Sequence, residues 1–519
     1  MRIELTGNDL KLEQVLGVAR GEAEVRLHAE ALGRMEASRA MVERMLESGA
    51  AVYGVNTGFG KLAEKRISPG QIRQLQVNLV RSHACGVGAA LTEAETRAVI
   101  LLRANALAKG FSGVRPVVVE TLCAMLNGEV HPVIPEKGSV GASGDLAPLA
   151  HLALVLIGEG EARYRGDRMA GGEAMKRAGI QPVALEAKEG LSVLNGTQVM
   201  LALLCQAIGE ATVLADTADV AAALSLDALR GSPTAFDERI AKARPHPGHA
   251  EVARNLLRLN AGSQIRESHR SAARDPRVQD AYSLRCTPQV HGAVRDAIRQ
   301  VTDVVTIELN SATDNPLVFA EPVGTKNRRD AGAPGIGGEV LSGGNFHGQP
   351  LAMAADQLAV ALATLGGISE RRTETMTNPL TSLLPAFLTR EAGLNSGFMI
   401  AQVTAAALAS ELKMQATPHS VDSISTSGNQ EDYVSMGMGA ARRLRGMSDN
   451  LRNILAIELL AACQGINLLA PLKTGALAQK AYDEVRKKSA KVEADRALAK
   501  DIEAVAFLVE DGTFRRILQ

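Results

Sequence analysis

Residues 138–154 read GSVGASGDLAPLAHLAL, and the first seven of them offer almost no side chain. Ser143 stands between Ala142 and Gly144, with Gly141 just before them. That order suits a backbone cyclisation in which the Gly144 nitrogen attacks the Ala142 carbonyl carbon. Glycine is favoured at the attacking position because, without Cβ, it accepts strained φ/ψ and a close approach. Loss of two waters, one carrying the Ser143 hydroxyl, would leave a ring with an exocyclic methylidene, an electrophile that no ordinary side chain provides. From Asp145 the pattern becomes helical. Asp145 is placed to cap the helix, Pro148 falls in its first turn, and Leu146, Leu149, Ala153 and Leu156 share one face. The N-terminus of such a helix sets a positive potential beside the triplet.

Seven other segments accompany this tract: YGVNTGFG (53–60), RSHACGVG (81–88), LNGTQ (194–198), QDAYSLRC (279–286), NSATDNPL (310–317), GGNFHG (343–348) and NQEDYVSMG (429–437). Together and in this order they resemble the aromatic amino-acid ammonia-lyases, over residues 1 to beyond 470. In that family Ala-Ser-Gly becomes the MIO (4-methylidene-imidazol-5-one) group, autocatalytically and with no external cofactor. The resemblance implies that Ala142, Ser143 and Gly144 form the ring. It also implies that Tyr53 is a candidate base; a free phenol has a pKa near 10 and would need strong tuning. Tyr282 is a possible second proton-handling group, and Asn195 a polar contact to substrate and prosthetic group. Arg285, with its planar fork, would hold the substrate carboxylate. Gln279 matches a site residue, and Phe346 would pack on the substrate ring. Addition of the substrate amine to the methylidene and attack by the substrate ring both remain open.

Substrate choice rests on fewer residues. Ser82-His83 matches the histidine-specific form of the selectivity pair, where the phenyl and phenol lyases carry Phe-Leu or His-Leu. Glu431 would give a charged partner where the phenyl branch has a neutral amide, and a phenyl pocket burying an unpaired carboxylate would be penalised. The expected reaction is deamination of L-histidine to trans-urocanate and ammonia, the first step of histidine degradation, in a homotetramer whose sites draw on three chains. Ser-His also occurs in some tyrosine aminomutases, and Tyr433 departs from the His usual after Q-E-D. A tyrosine or phenylalanine lyase or aminomutase is therefore the alternative, and a non-catalytic helical scaffold a more distant one.

The elements that must position these residues are mostly helices. Val290, Val294, Ile298, Val301 and Val305 mark one face of a long helix, with Thr287 as N-cap and Pro288 at its first position. Leu451, Leu455, Leu459 and Ala462 form a second stripe, with Ile457 and Leu460 on another face. A helix apolar nearly all round belongs inside a bundle. The Ala-rich stretch MIAQVTAAALASELKM permits close helix approach. The expected fold is mainly α: a long central bundle of the ammonia-lyase and fumarase-like type, with a loop-rich N-terminal part carrying the MIO group. The expected division is 1–196 and 197–519, the two parts continuous with each other. Residues 321–338 read as a mobile insertion between helices. The signature loop of the fumarase and argininosuccinase group, G-S-S-x-M-P-x-K-x-N, is missing.

Composition narrows the other classes. The 519 residues are 46% hydrophobic, with 57 Lys plus Arg against 57 Asp plus Glu, so no net field favours nucleic acid or a membrane surface. Trp is absent and aromatics are 3%, which disfavours base stacking. Five scattered cysteines give neither a disulfide framework nor a zinc site. The charged N-terminus lacks a signal-peptide core, and apolar runs such as LAHLALVLIG are too short to span a bilayer. The expectation is a cytoplasmic protein. YGVNTGFGK fails as a P-loop, since Val55 replaces the first Gly and Leu62 the Ser/Thr. His246 and His249 in RPHPGH lack the further ligands of a metal site and read as a surface loop.

Overall fold

The computed structural model describes residues 2–48, 57, 67–271, 273–275, 277–320 and 338–519. Helices dominate, and the chain divides into two compact units. The first comprises Met1–Gln206, Asp303–Asp356 and Pro418–Arg442; the second comprises Ala207–Thr302, Gln357–Thr417 and Arg443–Gln519.

The first unit holds the described strands, all three or four residues long, in four small sheets. Arg2–Leu5 pairs in parallel with Glu24–Leu27. Glu161–Tyr164 lies antiparallel between Val130–Pro132 and Asp167–Ala170. Val87–Ala90 pairs with Pro135–Lys137, and Leu317–Ala320 with Gly338–Leu341. The central helix Glu93–Ala108 is buried nearly all round. Its start is fixed by a capping box, in which Thr92 accepts from the Glu95 N–H and the Glu95 carboxylate accepts from the Thr92 N–H. The tract helix is Leu146–Leu156, with Pro148 in its first turn; Leu149, Ala153 and Leu156 are fully buried, as the pattern predicts, and Leu146 is half-buried.

Long helices build the second unit. Its interior carries charges as well as hydrocarbon. Arg372 and Glu458 are both fully buried and meet at 2.5 Å, and Ser225 donates to the same carboxylate at 2.7 Å. Arg295 donates to Asp219 at 2.7 Å, and His291 Nδ1 lies 2.8 Å from the other Asp219 oxygen. Arg372, Glu458, Arg295 and Asp219 each have a partner of opposite charge, the condition under which buried ions are tolerated.

The periodic stripes fall where expected. Val294, Ile298, Val301 and Val305 are buried along Thr287–Leu309, with Val290 only half-buried, and Leu451, Leu455, Ile457, Leu459, Leu460 and Ala462 along Gly437–Leu468. Four expectations need correction. Thr287 is the first helical residue, and its hydroxyl donates back to the Ser283 carbonyl instead of capping. Gln198–Ala228 and Gln349–Thr377 each contain a window apolar and long enough to cross a membrane. Those windows are 72% and 61% buried inside the chain, as in core helices. His246 and His249 start the helix Pro247–Leu259 rather than a loop, and His249 is buried beside Gln289. The flanks of the 321–338 segment are strands, not helices; residues 321–337 lie outside the described residues, and Gly338 begins the returning strand.

Candidate active site

The tract is gripped from several directions within the first unit. Gly141 and Gly144 have positive φ of 70° and 72°, where an L side chain is strained. A Cβ on Gly144 would lie 2.1 Å from the Gly196 carbonyl oxygen, and one on Gly141 would lie 2.2 Å from the Ser435 hydroxyl. Both positions therefore require glycine for space as well as for conformation. Gly144 and Gly196 form a parallel bridge, and the Asp145 N–H donates to the Gly196 carbonyl at 2.7 Å. On the other side, the Met436 N–H donates to the Val140 carbonyl, while the Gly348 N–H and the Ser435 hydroxyl both donate to that of Gly141. The motifs LNGTQ, GGNFHG and NQEDYVSMG thus converge on the residues flanking the triplet by hydrogen bonds from or to their backbones.

Asp145 stands at the N-cap position of Leu146–Leu156, but its side chain does not cap that helix. Its carboxylate accepts instead from the backbone N–H groups of Val199 and Met200, the first turn of Gln198–Ala228, and from Ser139. The sequence expectation is corrected on this point: the acid serves the neighbouring helix because that helix brings its free N–H groups onto the tract. Burial is complete and pushes the Asp145 carboxyl up to about 6, despite the three donors.

Ser143 is held at both ends. Asn195 Nδ2 donates to its carbonyl oxygen at 2.8 Å, and its hydroxyl donates to Glu431 Oε1 at 2.6 Å. Asn195 follows the short helix Glu189–Leu194, and its Oδ1 is buried without a partner among the described residues. The other Glu431 oxygen accepts from Thr426 at 2.6 Å and Ser427 at 3.0 Å. Burial pushes the Glu431 carboxyl up, but these hydroxyls and the nearby His83 outweigh it and hold it below the usual carboxylate range. His83 itself is pushed down by burial, against the pull of the Leu79 carbonyl and Glu431. Its Nδ1 lies 2.8 Å from Leu79 O, so the neutral ring presents Nε2 as an acceptor.

The remaining predicted residues are distributed differently. Phe346 is half-buried in GGNFHG, and the exposed Tyr433 stacks on the neighbouring His347 with ring centroids 6.1 Å apart. Gln279, Tyr282 and Arg285 belong to the second unit. There the exposed Tyr282 ring lies under the Arg285 guanidinium at 4.5 Å, and Arg285 Nε is buried without a partner among the described residues. Tyr53 lies outside the described residues.

Sequence reasoning missed a supporting set. Arg103, fully buried, donates to the Asn195 carbonyl at 2.9 Å and to Gln198 at 2.6 Å, fixing the turn that carries Asn195. Burial pulls its guanidinium down to about 10, against Asp314. Beside it, Lys188 pairs with Asp314 at 2.9 Å, both buried. A lone Arg within VILLRANALA was the available signal. Thr426 and Ser427, in an ordinary polar loop, carried none, and Ser435 was marked only by its place in NQEDYVSMG.

The sequence model of the family described as aromatic amino acid lyase matches residues 10–487. The chain belongs to the aromatic amino acid lyase family. Among its relatives in this family, a histidine ammonia-lyase from Koribacter versatilis (strain Ellin345) is 56% identical, over 98% of each chain. The crystal structure of histidine ammonia-lyase from Trypanosoma cruzi is 42% identical with a TM-score of 0.89, covering 100% of this chain and 95% of that one. A tyrosine aminomutase from Streptomyces globisporus superposes with a TM-score of 0.92 at 38% identity, covering 100% of this chain and 98% of that one. The aromatic lyase fold is therefore that of the whole chain.

Proposed function

We propose that this chain removes ammonia from L-histidine to give trans-urocanate, using an MIO group formed from Ala142, Ser143 and Gly144. One observation carries the reading: the triplet, closed in by two glycine-only contacts, has its serine held between Asn195 and the Glu431 carboxylate, with His83 in electrostatic reach. The names of relatives at 50–56% identity support the substrate. The residues present fit the group, since the cradle excludes a Cβ at Gly144 and leaves the buried Asn195 Oδ1 without a partner among the described residues. When formed, the group supplies an electrophile that turns an amine into a better leaving group.

The chain's own residues then divide the work. Asn195 orients the carbonyl of residue 143. Glu431, an anion at neutral pH, and His83, a neutral acceptor, face a substrate imidazole with partners that a phenyl ring could not satisfy. Phe346 flanks the ring. Arg285 takes the substrate carboxylate in a bidentate grip, with Gln279 and Tyr282 beside it, and Tyr53 is the candidate base for the β-proton. The assembly is a cytoplasmic homotetramer in which each site combines residues of three chains.

The second reading, a tyrosine or phenylalanine lyase or aminomutase, is favoured by the close superposition on the tyrosine aminomutase and by Tyr433. Parallel assays of the three amino acids decide between them. Urocanate formation on histidine is expected, and a clear preference for tyrosine or phenylalanine, or β-amino acid formation, would replace it. Glu431→Gln is expected to lower kcat/KM for histidine by at least about 10²-fold; an unchanged value removes Glu431 from the substrate site.

A further inference from the structure

Ser143 and Glu431 are 288 residues apart in sequence, yet the Ser143 hydroxyl donates to Glu431 Oε1 at 2.6 Å. That hydroxyl is the group the chain loses when the ring matures, so this contact exists only before maturation is complete. The carboxylate is tethered for the purpose: Thr426 and Ser427 hold its other oxygen, leaving Oε1 for Ser143 alone among the described hydrogen bonds. The Ser143 carbonyl is held at the same time by Asn195, which limits movement of the residue about its own backbone.

Dehydration of a serine side chain poses two proton problems. Hydroxide is a poor leaving group and needs a proton on Oγ, and the Cα–H bond needs a base. Oγ is two bonds from Cα, so one carboxylate resting on Oγ is placed to serve both. We propose that Glu431 is the proton-transfer group of the chain's own maturation, before it meets any substrate. The inference rests on the MIO reading given above.

The steps balance without oxidant or reductant. The Gly144 nitrogen bonds to the Ala142 carbonyl carbon, and its proton passes to the former carbonyl oxygen. That oxygen leaves with the Ser143 N–H proton as the first water, and a C=N bond forms. The Ser143 Cα proton then moves to the Glu431 carboxylate, and the Cα–H electron pair becomes the Cα=Cβ bond. As Cβ–Oγ breaks, the same proton passes from Glu431 to Oγ, the second water departs, and the carboxylate is restored. Oε1 then has lost its serine partner and is free for the substrate, so maturation itself opens the position that Glu431 takes in turnover.

Intact-mass spectrometry of the freshly purified full-length protein tests this without reference to activity. The wild type is expected to lack two waters, about 36 Da. If it carries its unmodified mass, the MIO reading beneath the inference falls, before any variant is made. Glu431→Gln is expected to slow the second loss by at least about 10²-fold, leaving molecules short of no more than one water, about 18 Da. Glu431→Asp is expected to restore part of the second loss. A Glu431→Gln protein that folds and loses both waters at the wild-type rate overturns the proposal. Should that variant fail to fold, Thr426→Val keeps the carboxyl and removes one tether; slower loss of the second water supports the proposal, and an unchanged time course overturns it.

Discussion

Asp145 and Asp219 are both fully buried, and their surroundings send them in opposite directions. Asp145, in the tract, has three hydrogen-bond donors but no cation as a hydrogen-bond or ion-pair partner among the described residues. Burial wins, and its carboxyl rises to about 6. Asp219, in the second unit, feels the same burial, but Arg295 and His291 outweigh it and hold its carboxyl below the ordinary range. In the second unit Arg372 is likewise matched with Glu458, whereas Asp227, held there by the Ser263 and Thr474 hydroxyls, follows Asp145 and rises to about 6. The tract instead satisfies Asp145 with N–H and hydroxyl donors, which supply no opposite charge. Charge pairing holds elements together; uncompensated carboxyls keep their capacity to accept and release protons.

The comparison can be broken most severely at Ser143. Ser143→Ala is expected to fold normally yet lose at least about 10³-fold in turnover, roughly 4 kcal/mol of activation free energy. Retention of most of the rate would show that the tract does no chemistry. On the other side, Arg372→Met leaves Glu458 buried without its cation and is expected to cost about 3–5 kcal/mol of stability. Urea denaturation measures this, and a loss below 1 kcal/mol would mean the bundle does not depend on pairing.

The third test uses pH. Between roughly 3.9, the ordinary aspartate value, and about 6, the native chain holds a proton on Asp145 that the unfolded chain has lost. Stability from this group therefore falls as pH rises through that window, by roughly 3 kcal/mol, and the loss is complete above it. Asp145→Asn is expected to remove that slope in denaturation profiles from pH 4 to 7. Asp219 has the opposite sign: its contribution is present above the unfolded value and lost as pH falls below it. The smallest effect is expected at Asn255, which donates to Asp219 at 2.9 Å. Asn255→Ala should cost about 1 kcal/mol, since the two stronger partners of Asp219 remain. A larger loss would place Asn255 within the pairing network.

The sequence was readable where the physics is local. The stripe through Val294, Ile298, Val301 and Val305 and the helix after Asp145 follow from period alone. The destination of the Asp145 carboxylate did not, because the N–H groups of Val199 and Met200 that receive it belong to a different helix and leave no mark on residue type. Arg103 was hidden for the same reason: an arginine in an apolar helix announces burial, but not that its target is the Asn195 carbonyl. The length of Gln198–Ala228 was masked by polar residues such as Asp216, Thr217 and Asp219, which interrupt the apolar pattern and in fact point inward. The family resemblance supplied candidate roles for Glu431 and Ser143; only coordinates show the two in contact.

The 288-residue span between those partners has a consequence for the timing of biosynthesis. At ribosomal rates of about 5–20 residues per second, roughly 15–60 s separate the emergence of Ser143 from that of Glu431. Throughout that interval the nascent chain carries an inert Ala-Ser-Gly. On the proposed maturation, the reactive group is armed only once the chain has been made through Glu431, so a translation product truncated before that residue would release no loose electrophile among cellular thiols.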